Sequence, residues 1–219
     1  FIGIVLSTFC GLFLGIEYGD GTIRNKVVVG HKRSSIYLAN LITCIVAGLA
    51  MCAAFMLVYV AVGIPLIGTF TLEIKYILLY TGAALLMSTA FASIFTMLAM
   101  LNQNKAVVAV SCILFAFISL FAGQYIQSRL EAPEMYEGYS YTDDSGELIE
   151  FEATKNPRYL EGAQREAYEF VHKLLPGDQQ VQIGQMTTQK PGELMIYSAG
   201  MTVVVTAIGM MLFKKKDLK

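Results

Sequence analysis

Few residues in this chain could perform catalytic or metal chemistry, and their positions do not assemble a site. The sequence contains two histidines, His31 and His172, and four cysteines, at Cys10, Cys44, Cys52 and Cys112. All four cysteines lie inside apolar stretches without the paired spacing of metal ligands, so we interpret them as small packing residues. Both histidines lie in polar connecting segments, where we expect them at the surface. We therefore predict no catalytic residue, no metal site and no cofactor bound by this chain.

Energy-coupling chemistry is also missing from the sequence. No Gly-x-x-x-x-Gly-Lys-Ser/Thr pattern occurs, so the chain has no phosphate-binding loop with which to use ATP itself. The long apolar stretches contain no Asp, Glu, Lys, Arg or His, whereas proton- and sodium-driven pumps usually keep carboxylates there. The same absence disfavours a membrane protease or transferase. Any work done by this chain must therefore draw its energy from elsewhere.

The apolar stretches themselves define the fold class. The chain has 219 residues, of which 55% are hydrophobic and 15% charged, with a mean hydropathy of +0.56. A helix needs about 20 apolar residues to cross a bilayer, and uncharged stretches occur at 1–16, 36–63, 76–101, 106–128 and 194–213. The first is short and begins at Phe, which suggests a clipped span. We predict an all-α integral membrane protein, a helix bundle with five spans visible and six expected in the intact chain.

The basic residues predict the orientation of the spans. Lys and Arg cluster in the 17–35 loop, at Lys105, and in a tail with Lys214, Lys215, Lys216 and Lys219. Short basic loops stay in the cytoplasm, which leaves 64–75 and 124–193 outside. We therefore expect a multi-pass plasma-membrane protein with a cytoplasmic C-terminus. Its parts are transmembrane helices over 1–123, an extracellular segment over 124–193, and a last span with a basic tail over 194–219.

The segment 124–193 differs in composition from the rest of the chain. It carries thirteen acids and six bases, a net charge of −7. Its first half, 131–156, has the composition of turns and short extended pieces. After Pro157, apolar residues recur at helical spacing and predict an amphipathic helix that ends at Pro176-Gly177; these residues are Leu160, Ala163, Ala167, Phe170, Val171 and Leu174. We expect it to lie on the membrane or against the spans, with a small soluble subdomain as the alternative.

The 17–35 loop predicts a short helix over 22–29. Asp20 is positioned to cap its start, Gly30 to end it, and Ser34 and Ser35 to cap the next span. Ile23 and Val27 lie four residues apart and form one apolar edge. Held between two spans, such a helix could press into a groove on a partner. A basic loop that merely obeys the positive-inside rule is the alternative.

Several of these segments resemble a known family. Glu17-Tyr18, Gly-Thr-Ile-Arg-Asn-Lys at 21–26, Gly-His-Lys-Arg at 30–33 and Ile-Tyr-Leu-Ala-Asn-Leu at 36–41 are similar to the first cytoplasmic loop of bacterial type-2 ABC exporter permeases. The external segment, with Arg-Glu-Ala-Tyr-Glu-Phe at 165–170, and the Lys-rich ending at 212–219 also resemble that family. The chain has Gly-Asp-Gln at 177–179 where many family members have Thr-Gly-Gln or Gly-Gly-Gln.

The resemblance implies a permease subunit of an ATP-driven exporter. It implies a coupling helix that binds an ABC ATPase subunit through Thr22, Ile23, Arg24, Asn25, Lys26 and Val27. It further implies two ATPases carrying ATP and Mg, a second permease that is identical or homologous, contact with membrane lipid, and no nucleic acid. The substrate would be a peptide, an antibiotic or a lipid-like molecule. Alternatives are a non-transporting anchor or sensor whose external segment binds a partner, and a membrane enzyme acting on lipid.

Overall fold

The structure is a computed structural model that describes residues 2–68, 73–142, 146 and 148–217. Predictions that involve Phe1, Asp143, Asp144, Glu147 or Lys219, or the middle of the 64–75 connection, lie outside these residues. The helices are α1 (Ile2–Gly19), α2 (Thr22–Val28), α3 (Arg33–Val58), a π-helical turn (Tyr59–Gly63), α4 (Ile64–Ile67), α5 (Ile74–Leu101), α6 (Lys105–Leu130), α7 (Gly162–Leu174), α8 (Pro176–Gln185) and α9 (Pro191–Lys215).

Five helical stretches are long and apolar enough to cross a membrane, counted over the part of the chain that the structure describes. They are α1, the stretch Arg33–Leu66, α5, α6 and α9. Each contains a predicted span and extends it by a few residues, because helical hydrogen bonding continues into the polar ends. The chain therefore folds as the all-α bundle with five candidate spans that its composition predicts.

Helix α5 lies at the centre of the bundle and is the most extensively buried of the five. Phe91 and Phe95 stack on one of its faces with ring centroids 5.5 Å apart. All four cysteines are buried, and Cys10, Cys44 and Cys112 belong to the core around α5. They pack as small apolar residues, as predicted. The other spans expose many large apolar side chains, which is the surface expected to face lipid.

Gly11 and Gly15 bring α1 close to α6. A Cβ atom on Gly11 would lie 3.0 Å from the Cα of Ala109, and one on Gly15 would lie 3.3 Å from the carbonyl oxygen of Lys105. This close approach is the kind that small residues permit between membrane helices. The contact is within the chain, between α1 and α6.

The segment before the last span forms two helices instead of one. The predicted end at Pro176-Gly177 is confirmed, because α7 ends at Leu174 just before this pair, but Pro176 then begins a second helix, α8, that the stripe did not predict. Proline is well suited to the first turn of a helix because its missing N–H has no intrahelical partner there. Helix α7 packs on α9, where Phe170 meets Tyr197 edge-on at 6.2 Å and the Lys173 Nζ lies 3.0 Å from a Glu193 carboxylate oxygen. A separate soluble subdomain therefore does not describe α7.

Helix α8 is inserted among the spans. The backbone N–H of Gly177 donates to the hydroxyl of Ser119 on α6 at 2.9 Å, and a Cβ atom on Gly123 would lie 2.5 Å from the Cα of Asp178. Ser119 precedes the end of α6 by eleven residues, or about 16 Å of helix. The start of α8 is therefore deep in the bundle, and α7 and α8 form a helical hairpin that dips into it.

Polar side chains on α8 donate hydrogen bonds to the carbonyl groups at the end of α7. The Gln179 and Gln182 amides each donate at 2.6 Å, to the carbonyls of Lys173 and His172 respectively. The hydroxyl of Ser198 on α9 donates to the Gln179 Oε1, also at 2.6 Å. The last carbonyls of a helix lack intrahelical partners, so these bonds remove most of the cost of burying the turn.

His172 and Asp178 form a pair at this turn. The His172 Nδ1 lies 2.9 Å from the Asp178 Oδ2, and Asp178 is fully buried. Burial raises the pKa of Asp178, and the hydrogen bond from His172 partly opposes that rise. His172 is therefore half-buried and paired, not the plain surface residue that the sequence predicts, because the hairpin folds its ring against a buried carboxyl.

Short strands occur in the 131–156 half, as predicted. Strand β1 (Met135–Tyr136) pairs antiparallel with β4 (Thr154–Lys155), and β2 (Tyr139–Thr142) pairs antiparallel with β3 (Leu148–Phe151). The two ladders follow one another along a single hairpin that projects from the helices.

The inserted position of α8 leads to a stability prediction. The Gly177→Ala variant should lose about 1–3 kcal/mol, because the new methyl would collide with the backbone and hydroxyl of Ser119. Gly184→Ala, in the same helix, meets no neighbouring atom within 4 Å and is the matched control. Thermal unfolding of the purified protein measures both variants. Equal midpoints would contradict the insertion of α8.

The buried carboxyl gives a pH prediction. Because the pKa of Asp178 is raised above its ordinary value of 3.8, the stability that this carboxyl contributes is present at low pH and is lost as pH rises through the folded-state value. Asp178→Asn, which is neutral at every pH, should therefore gain stability relative to the native chain as pH rises above the ordinary value of 3.8. Thermal midpoints of both proteins at each pH test this. The opposite trend would mean that the bond to His172 outweighs burial.

Candidate functional site at the α2 end of the bundle

The three basic segments predicted to share one side come together at one end of the bundle. Lys105, at the start of α6, packs on Gly15 near the end of α1. Lys216, just after α9, donates to the carbonyl of Met100 near the end of α5 at 3.1 Å. Helix α2 connects α1 to α3 at the same end. We call this region, from α2 to the tail at 214–217, the α2 end.

Glycines set the limits of α2. Gly21 precedes the helix with φ of 69° and Gly30 follows it with φ of 99°, a left-handed conformation that favours glycine. The predicted stop at Gly30 is confirmed. The predicted cap at Asp20 is wrong, because Gly21 occupies the N-cap and no side chain caps the helix. The helix ends at Val28, one residue earlier than predicted.

The start of α3 also differs from its prediction. The helix begins at Arg33 with Lys32 at the N-cap, so Ser34 and Ser35 lie inside the first turn and do not cap it. The early start has a consequence for Arg33. Its side chain is carried on a helical turn at the α2 end instead of on a flexible loop.

The apolar edge of α2 faces the bundle. Ile23 is fully buried in the core, and Val27 packs against that core. Lys26 pairs with Glu17 of α1, with Nζ and Oε1 2.7 Å apart. These contacts hold a helix of about two turns that would be unstable alone in water. Ile23, Lys26 and Val27 are therefore anchoring residues in this structure.

The outward face of α2 consists of different residues. Arg24 and Asn25 are exposed, while Thr22 is half-buried. Val28 and Val29 have 78% and 79% of their surface exposed, although both are apolar. Sequence reasoning missed these two valines. The run Val27-Val28-Val29 could have revealed them, because three consecutive residues of a helix cannot all lie on its bundle-facing edge.

Tyr18 and Lys216 connect α1, α5 and the tail. The Tyr18 hydroxyl donates to the carbonyl of Met100 at 2.6 Å, and the Lys216 Nζ lies 4.7 Å from the centre of the Tyr18 ring. A cation over an aromatic face is stabilised by the charge distribution of the ring. Burial lowers the pKa of Lys216 to about 8.

Arg33 connects α3 to the end of α9. Its Nη1 donates to the carbonyls of Phe213 at 3.3 Å and Lys214 at 3.1 Å, and also to that of Lys216. A guanidinium at a helix C-terminus satisfies carbonyls that lack partners and complements the helix dipole. Arg33 thus caps α9 from a neighbouring helix.

Together these contacts hold α2 against α1 and α3 and join α1, α3, α5 and α9 at the same end. The α2 end thus combines buried anchoring contacts with an exposed outward face on α2. Within residues 2–68, 73–142, 146 and 148–217, no cluster of three His, Cys, Asp or Glu side chains could hold a metal ion.

No protein-family model, curated protein or solved structure matches this chain. The fold defines its class, a helical protein with five helices suited to crossing a membrane. A more particular function is a matter for proposal.

The cap formed by Arg33 can be tested by mutation. Arg33→Ala should destabilise the protein by about 2 kcal/mol, because hydrogen bonds from a charged donor to the end of α9 are lost. It should also speed tryptic cleavage after Lys214, Lys215 and Lys216. Lys32→Ala removes a neighbouring exposed cation that makes no capping bond and is the matched control. If both variants behave alike, Arg33 does not hold the tail.

Proposed function

We propose that this chain is the membrane permease subunit of a bacterial ATP-driven exporter of the type-2 ABC kind. Helix α2 and its outward residues carry the proposal: a two-turn helix is anchored in the core at one face and presents Arg24, Asn25, Val28 and Val29 at the other. The motifs at 17–41 that resemble the first loop of such permeases contain Ile23, Arg24, Lys26 and Arg33, which help to build this site.

The contacts at the α2 end support a lever mechanism. A partner that pushes on Val28 and Val29 would move α1 through Ile23 and through the Glu17–Lys26 ion pair. It would move α9 through the carbonyls held by Arg33. Rigid elements that transmit a push to a packed bundle can switch it between two arrangements. ATP binding on the partner would thereby tilt the spans.

The proposed assembly supplies what this chain lacks. Two ATPase subunits would bind ATP and Mg, and a second permease, identical or homologous, would complete the pathway. The complex would lie in the cell membrane with the α2 end in the cytoplasm, as the basic residues at that end favour. The substrate of this assembly would be a peptide, an antibiotic or a lipid-like molecule.

The outward valines provide the test. The Val28→Asp/Val29→Asp variant should lose at least about tenfold in affinity for a candidate ABC ATPase subunit, because it places two charges in an apolar contact. Co-purification in lipid with an ATP hydrolysis assay measures this. Thr187→Asp/Gln189→Asp adds the same charge at exposed positions near the end of α8 and should leave binding unchanged.

Ile23 and Val27 are unsuitable for this experiment, although they belong to the predicted interface. Because Ile23 is buried in the core, a charge there would unfold the α2 end whether or not a partner binds. If the native chain retains no ATPase, the exporter proposal fails. The chain would then be better explained as an anchor or sensor that binds a partner through segment 124–193.

A further inference from the structure

The hairpin formed by β2 and β3 has one aromatic face. The register pairs Tyr139 with Phe151 and Tyr141 with Ile149, so these four side chains lie on the same side of the ladder. Phe151 stacks with Tyr139 at 4.9 Å between ring centroids and with Tyr141 at 6.2 Å. Ser140, Thr142, Leu148 and Glu150 lie on the other side. We call the first set the aromatic face.

The aromatic face is exposed. Tyr139, Tyr141 and Phe151 have 62%, 48% and 46% of their surface accessible. Each strand of this ladder has its main contacts with the other strand, not with a helix. A two-stranded hairpin is only marginally stable alone in water, and a contiguous exposed apolar surface usually marks a binding site.

The surrounding charge identifies the class of ligand. Residues 131–156 contain eight acids and a single base, Lys155. The Lys155 Nζ is paired with Glu161 at 2.7 Å. Glu134, Glu137, Glu150 and Glu152 are exposed around the strands. Such a field attracts cations and repels both anionic lipid headgroups and a second, equally acidic copy of the hairpin.

We propose that the aromatic face is a binding site for a cationic amphipathic peptide. The apolar side chains of the peptide would pack on Tyr139, Tyr141 and Phe151, whose ring faces also attract Lys and Arg. The carboxylates would raise the local concentration of the peptide and speed its arrival. The inference rests on the proposed exporter function only where it makes this peptide the transported substrate.

The experiment uses the full chain in nanodiscs of zwitterionic lipid and a synthetic peptide of alternating Lys and Leu with one Trp. Because the chain contains no Trp, the indole fluorescence reports the peptide alone. The Tyr139→Ser/Tyr141→Ser variant should bind roughly tenfold more weakly than the native chain. Binding to the native chain should also fall several-fold between about 0.05 M and 0.5 M salt.

Two matched variants separate binding from folding. Leu148→Ser removes an exposed apolar side chain from the opposite side of the same ladder and should leave affinity unchanged. Tyr139→Phe/Tyr141→Phe keeps the rings and should bind like the native chain. A peptide with Glu in place of every Lys should not bind.

Several results would overturn the inference. They are equal affinity of the native and Ser-substituted chains, equal loss in Leu148→Ser, and equal binding of the Lys and Glu peptides. Self-association through the aromatic face, or its attachment to anionic vesicles without peptide binding, would assign it another occupant and also reject the proposal.

Co-purification of the ATPase is measured separately from peptide binding. Retained ATPase without peptide binding rejects this inference alone, and peptide binding without ATPase rejects the exporter function.

Discussion

A polar group inside an apolar bundle must find its partner within the protein, and this requirement governs the architecture of the chain. The five candidate spans satisfy their own backbones as helices. Helix α8 is the demanding case, since it carries Asp178, Gln179 and Gln182 among the spans. It is accommodated because those side chains meet the carbonyls at the end of α7, the ring of His172 and the hydroxyl of Ser198.

The same requirement organises the α2 end. The last turn of α9 leaves carbonyls without helical partners, and Arg33 of α3 supplies the donors. Met100 near the end of α5 accepts from Tyr18 and Lys216 in the same way. Basic residues from which the sequence predicts the orientation thus also join the helices. A force applied to α2 has a physical route into several spans because these bonds are short and partly buried.

The two ends of the molecule expose different kinds of surface. At the α2 end, a short helix anchored in the core exposes Arg24, Asn25 and Val28, with Val29 just after it. At the other end, segment 124–193 combines a helical hairpin packed into the bundle with an acidic, aromatic β-hairpin that projects from it. A ligand on the β-hairpin and a partner on α2 would act on one connected bundle, since α8 contacts α6 and α2 is anchored on α1.

Most of the fold could be predicted from the sequence. For the candidate site, the sequence predicted the segment but not which of its residues are buried and which are exposed. Uncharged stretches of about 20 residues locate the spans because only a helix satisfies its backbone within that length of apolar chain. Glycine at position 30 ends α2 because a left-handed residue is needed there. Which side of α2 packs on the bundle could not be predicted, because Ile23 and Val27 form an apolar edge that could contact either the bundle or a partner.

The sequence by itself determined the class of the protein, the five helices suited to a membrane and the place of the short helix between the first two. Only the tertiary structure decided which side of α2 is buried, that Pro176 also starts a second helix, and that Asp178 is enclosed beside His172. The physical reason is that hydrophobic length and turn chemistry are local properties. Burial and polar pairing depend on residues such as Ser119 and Phe213, which only packing brings near α8 and Arg33.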